Sequence, residues 1–192
     1  MPKKKAKISP VDEIPIKNKL FGLFFILLAY LFLTSSGLPQ KSNNSSQIEI
    51  SSKLLNSNQK PGDIPIKVIL PKQDIDLSVI PANVVDGYWE TSDATASYGL
   101  GSGTPGTKSN TVIFAHAREG LFYNLKDVKK GDIVYVFTKN KWFKYKATKI
   151  TAVYPDQIAV IAPTKTEELT LYTCTGYADS QRLIVSALPV AQ

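Results

Sequence analysis

An all-β domain preceded by one apolar helix is the fold the sequence predicts, on three observations. From Ile64 onward the chain is a succession of short alternating or β-branched runs separated by Pro, Gly, Asn and Asp. Helical periodicity is scarce over the same region. Ahead of it, residues 20–33 read LFGLFFILLAYLFL, an apolar run without a single charge.

That run comes first in the chain. Fourteen residues rising 1.5 Å each cover about 21 Å, short of the roughly 30 Å hydrocarbon core of a bilayer. Extension through Thr34 to Leu38 gives a segment, residues 20–38, long enough to span. A helix buried in a soluble core would keep a polar face, and this one is apolar all round. Residues 1–19 carry six lysines against Asp12 and Glu13, a net +4, so they read as a basic tail on the cytoplasmic side. No clear small-x-small cleavage site follows, which favours an uncleaved transmembrane signal anchor. Thr34-Ser35-Ser36-Gly37 keeps a cleaved signal peptide as the alternative. The expected location is the plasma membrane, crossed once, with everything beyond residue 38 extracellular. Residues 39–62, rich in Ser and Asn, read as a flexible linker, and residues 63–192 as the folded domain.

The strands then follow in order. IPIKVILP (64–71) and IDLSVIPANVV (75–85) are extended runs in which Pro65, Pro71 and Pro81 argue for edges or bends. YWETSDATASYG (88–99) is the stretch expected to be helical, and GLGSGTPGTKSN (99–110) a flexible, glycine-rich connector. The latter lacks the lysine and the following helix of a phosphate loop. TVIFAHA (111–117) is a strand, and LFYNLKDV (121–128) a helical turn. IVYVFT (133–138) and WFKYKATKITAVY (142–154) flank Lys139-Asn140-Lys141 as a hairpin with one solvated face. ELTLYTC (168–174) and RLIVSAL (182–188) close the domain. Six to eight such strands suggest a closed or sandwich-like β fold.

Composition excludes several functions. The net charge of +7 comes mostly from the N-terminal tail. Lys139, Lys141, Lys144, Lys146 and Lys149 read as the wet face of a hairpin, with no aromatic and arginine platform beside them, so no nucleic-acid partner is expected. One histidine and one cysteine do not make a zinc set. Asp74, Asp76 and Asp86 have a spacing common by chance, so no metal and no other cofactor is expected.

The chemistry therefore rests on few residues. Cys174 is the sole cysteine and has no intramolecular disulfide partner. A thiol attacks as thiolate, and an imidazole or a cation beside it promotes that form. Any Cys–His mechanism must use His116, the sole histidine, at the end of a strand as Cys174 is. Arg182, one of two arginines, lies on the next strand after the turn GYADSQ, where an antiparallel return brings it alongside Cys174. Each residue alone has a bland reading: a surface histidine, a packed thiol, a salt bridge to Asp179. Together, on an exported domain, they point to nucleophilic catalysis.

Two segments, PGTKSNTVIFAHAREGLFYNLKDVKKGDIVYV and LTLYTCTGYADSQRLIVSA, resemble the sortase family. The first is similar to its histidine segment with the following Phe, Leu and Gly-Asp. The second is similar to its Thr-Leu-x-Thr-Cys strand and later Arg-hydrophobic-hydrophobic-Val. The resemblance covers roughly residues 63–190 plus the anchor. It implies a closed eight-stranded antiparallel β-barrel and a membrane-anchored cysteine transpeptidase, with His116, Cys174 and Arg182 as the catalytic set and Thr173 as a substrate-contacting or orienting residue. It also implies cleavage of a Leu-Pro-x-Thr-Gly sorting signal on surface proteins through a Cys174 thioester. The acyl group would pass to an amine such as a peptidoglycan precursor or a pilin lysine. Ala115 stands where many sortases have glycine. An Asp-Pro-aromatic lid and a second hydrophobic span after Val190 are lacking, which argues against a pilus-polymerising type. A tryptophan-containing helix before PGTKSN resembles classes D and E. The rival readings are a hydrolysis-only cysteine endopeptidase and a membrane-tethered domain that only binds peptide. A papain-like order, cysteine before histidine, is reversed here.

Overall fold

The computed structural model describes residues 48, 50 and 64–191. The basic tail, the apolar segment 20–38 and most of the 39–62 stretch lie outside the described residues. No helix among the described residues is long and apolar enough to cross a membrane.

Among the described residues ten strands form: β1 (Lys67–Leu70), β2 (Ile75–Ala82), β3 (Val84–Val85), β4 (Tyr88–Trp89), β5 (Ala96–Gly99), β6 (Asn110–Phe114), β7 (Ile133–Phe137), β8 (Trp142–Val153), β9 (Glu168–Thr175) and β10 (Gln181–Pro189). Eight of them close into a barrel in the order β1-β2-β5-β6-β9-β10-β8-β7, and β3 pairs with β4 as a separate hairpin. The only helical pieces among the described residues are short 3-10 turns, including Tyr123–Asp127 where a turn was expected.

The expectation of an antiparallel barrel needs correction. β2 pairs with β5, and β6 with β9, in parallel. Both pairs are joined by long crossovers, which is what a parallel pair requires. The β2–β5 crossover carries the β3–β4 hairpin, and the β6–β9 crossover carries β7 and β8. The helix expected over residues 88–99 is absent: Tyr88–Trp89 is strand β4 and Ala96–Gly99 is strand β5. The tryptophan helix that suggested classes D and E is thus a hairpin edge. Trp89 instead lies over Gly99, where a Cβ would come within 2.5 Å of the indole ring. Its Nε1–H donates to the Leu100 carbonyl at 2.9 Å.

The glycine-rich stretch joins β5 to β6 and is partly buried. Ser102, Thr104 and Ser109 are buried, and the Tyr98 hydroxyl donates to the carbonyls of Ser102 and Gly103. Its short polar side chains and the Tyr98 phenol hold that connection in place. Pro81 sits inside β2, yet causes no break. β2 pairs with β1 over Ile75–Ser78 and with β5 over Val79–Ala82, so Pro81 has a strand on one side only.

Two apolar clusters result from strand alternation. The barrel interior holds Val68, Tyr98, Ile113, Val134, Tyr145, Leu169, Leu171 and Val185 among others. The outer face of β6, β9 and β10 carries Val112, Phe114, Tyr172 and Ile184 in a second cluster. Phe114 stacks between Trp89 and Tyr172, with ring centroids 5.8 and 4.9 Å apart. Of the stretch 39–62, Ile48 and Ile50 are described, and both are buried in this second cluster.

Candidate active site

The parallel pairing of β6 and β9 sets the site. The ladder ends with Phe114 level with Tyr172, and His116 and Cys174 each follow two residues beyond that last pair, at the same end of the barrel. On the other side, antiparallel β10 places Arg182 directly opposite Cys174. Three adjacent strands therefore deliver imidazole, thiol and guanidinium at one end of the barrel. Along β9, Leu169 and Leu171 point into the barrel, and Tyr172 belongs to the outer cluster. Cys174 stands two residues beyond Tyr172 and shares its outer face.

The backbone ahead of His116 is fastened to the cysteine strand. The Ala115 N–H donates to the Tyr172 carbonyl at 3.3 Å, and the Thr173 hydroxyl donates to the Ala115 carbonyl at 2.7 Å. Thr173 is buried, with its hydroxyl committed to that bond. The His116 carbonyl in turn accepts from the Phe122 N–H. The imidazole itself stays 39% exposed, and its Nε2 lies 3.5 Å from Asp93, which also meets Arg118 at 3.6 Å. Asp93 had no signal in the sequence, because its segment was read as helix.

Arg182 is the largest fully buried side chain among the described residues. Its Nη1 donates to the carbonyl of Asp179 at 2.8 Å and to that of Gln181. These bonds stitch down the turn after Cys174, in which Gly176, Ala178 and Asp179 all have positive φ. Nε and Nη2 are buried without a hydrogen-bond partner. A buried guanidinium keeps two idle donors at a cost unless something else accepts from them.

Burial pushes the Cys174 thiol above its ordinary range; Arg182 pulls it back down and Asp179 adds to the rise. Burial and Asp179 therefore favour the thiol form over the thiolate, and Arg182 opposes them. Among the described residues no group of three His, Cys, Asp or Glu could hold a metal ion, and Asp76 is paired with Lys67 at 2.8 Å. An open pocket of about 460 Å³, lined in part by Asn110, Val160 and Ile184, extends the outer face away from the cysteine.

A closed eight-stranded β-barrel whose rim carries a thiol opposite a guanidinium, with an imidazole at the same end, defines the class by its fold. Comparison with known proteins narrows the class: the sortase domain family matches residues 68–190, and the chain belongs to that family. Sortase A of Streptococcus agalactiae is 29% identical over 148 residues, covering 70% of this chain and 57% of that protein. Sortase A of Staphylococcus aureus is 34% identical over 116 residues, covering 48% of this chain and 56% of that protein. The chain thus spans little more than half the length of these curated relatives. Among solved structures, sortase A from Corynebacterium diphtheriae superposes with a TM-score of 0.59 at 29% identity, covering 70% of this chain and 64% of that one. Sortase C of Streptococcus pneumoniae gives 0.61 at 25% identity, covering 77% and 83%.

Proposed function

We propose that this protein is a sorting transpeptidase, in which Cys174 attacks the carbonyl of a Leu-Pro-x-Thr-Gly type signal between Thr and Gly. The placement of the sole cysteine between His116 and Arg182 on three adjacent strands is the observation that carries the reading. As the S–C bond forms, the thiol proton must leave a sulfur whose protonated form burial favours, and His116, at the same end of the barrel, is the base that takes it. The C–N bond then breaks, the leaving glycine amine takes a proton from the imidazole, and a thioester remains. An incoming amine attacks the thioester carbonyl and gives up a proton to His116; the new C–N bond forms as the C–S bond breaks, and the imidazolium returns the proton to the Cys174 sulfur. The idle Nε–H and Nη2–H of Arg182 would meet the carbonyl oxygen as it gains charge. Thr173 acts by fixing Ala115, and through it the histidine, against the cysteine strand. Substrate proteins bearing the signal, an amine acceptor on the cell surface, and a membrane anchor over residues 20–38 complete the reading.

The test is cleavage of a Leu-Pro-x-Thr-Gly peptide with product masses recorded in the presence of candidate amines. Cys174→Ala and His116→Ala should each abolish it. Retained cleavage by either variant sinks the assignment.

A further inference from the structure

A second open pocket, of about 490 Å³, lies at the end of the barrel away from Cys174. It is walled by the β7–β8 turn with the first residues of β8, by Gly106 ahead of β6, Glu167 ahead of β9, and the end of β10. His116, Cys174 and Arg182 stand at the opposite ends of their strands. From Glu168 to Cys174 along β9 is roughly 20 Å at the rise of extended chain. The pocket is therefore separate from the thiol site. Its volume falls within the roughly 300–1,000 Å³ typical of small-molecule sites.

The lining carries both signs of charge. Lys141 and Lys144 make it cationic, and Glu167 supplies one carboxylate. Glu167 Oε1 accepts from the Tyr145 hydroxyl at 2.7 Å and from the Gly106 N–H at 2.8 Å. Burial, and then the bond to Glu167, push the Tyr145 phenol far above its ordinary range, so that hydroxyl stays a donor. Gly106 has a φ of +81°, and a Cβ there would come within 2.8 Å of the Phe143 ring, so this wall is closely packed. At the mouth Trp142 is 46% exposed, and Asn140 adds an amide.

These groups select an occupant. The lysines call for an anion. Glu167 opposes a polyanion, and a flat bilayer does not enter a concavity. A carboxylate that already takes two donors has its charge partly compensated, so it suits a neutral hydroxyl better than a second cation. An exposed indole offers a flat surface to the C–H face of a ring. We propose that this pocket binds an acidic saccharide, with its carboxylate at Lys141 and Lys144, its hydroxyls at Glu167 and Asn140, and its ring against Trp142. The proposal goes beyond the transpeptidase reading and does not rest on it.

Isothermal titration calorimetry on the full chain in neutral detergent tests it, with cellobiouronic acid, a disaccharide bearing one carboxylate, as the probe. Binding should saturate, and uncharged cellobiose should bind about tenfold more weakly or worse. Acetate, dialanine and triglutamate, which lack the sugar ring, should give no saturable heat. Lys141→Gln with Lys144→Gln should reduce the acid's affinity to that of cellobiose, and Trp142→Ala should weaken both sugars. Urea unfolding of each variant close to wild type shows that the fold is intact. In the unaltered protein, raising salt from about 0.05 M to about 0.5 M should weaken the acid and leave cellobiose unchanged. Cleavage of the sorting peptide should be the same in the lysine variant as in the wild type. Absence of saturable binding by the acid, or equal binding of cellobiose, overturns the proposal. So does binding of dialanine or triglutamate as tight as the acid's, or an affinity indifferent both to salt and to loss of the lysines.

Discussion

Burial and Asp179 favour the protonated Cys174 thiol while Arg182 opposes them, and this balance has a pH signature. A thiol raised above its ordinary value gains thiolate only as pH climbs past the range near about 8.5 where free thiols ionise. Alkylation of Cys174 in the free protein should therefore rise through an inflection above that of a free thiol. Arg182→Ala, removing the downward pull, should move the inflection higher, and Asp179→Asn should move it lower. A wild-type inflection below that of a free thiol refutes this balance. Arg182→Lys keeps the charge but loses the planar donor fork, so kcat/KM for the sorting peptide should drop on the order of 10²–10³-fold. Wild-type activity in that variant rules out the oxyanion role. At this scale the sequence was informative where residues were unique: one cysteine and one histidine left a single pair to try. It could not reveal Asp93 or the buried carbonyl bonds of Arg182, since both depend on which loops fold back over the strand ends.

Among the elements, Asp132 at the entry to β7 is the clearest anchor. Its carboxylate accepts from Lys72 Nζ at 2.7 Å, Gln73 Nε2 at 2.8 Å and the Lys129 N–H at 2.9 Å, tying the turn after β1 to β7. The Lys72 bond, and then the Lys129 amide, hold this carboxyl below its usual range. A lowered acid adds stability above the unfolded value of about 4 and loses it as pH falls through the folded value. Asp132→Ala should cost about 1–3 kcal/mol in urea unfolding at neutral pH, and less in acid. An equal cost at both pH values would show that charge plays no part. Gly99→Ala, which drives a methyl into the Trp89 ring, should cost a similar 1–3 kcal/mol by the same measurement. Strand positions were legible because alternation and proline punctuate the chain. The supposed helix over 88–99 was not, because polar spacing in a short segment fits a helix as well as two strand ends. Pairing to β2 and β6 decided it.

For the whole molecule, the apolar run at 20–38 is expected to hold the full chain in the membrane fraction, resisting alkaline carbonate, while a chain beginning at residue 39 should be released. Extraction of the full chain by carbonate alone would refute the anchor. Order along the chain determined the all-β class, the separation of an apolar N-terminal segment from a folded domain, and the identity of the thiol and imidazole. These follow from local periodicity and composition, which need no partner strand to be read. The closure of the barrel, its two parallel pairs and the burial of Ile48 and Ile50 in the outer cluster were decided only in three dimensions. Strand partners are chosen by which apolar faces can be buried together across long stretches of chain, and no local pattern encodes that choice. His116 and Cys174 are far apart in sequence, and the crossover that makes β6 and β9 parallel neighbours carries both to the same end of the barrel.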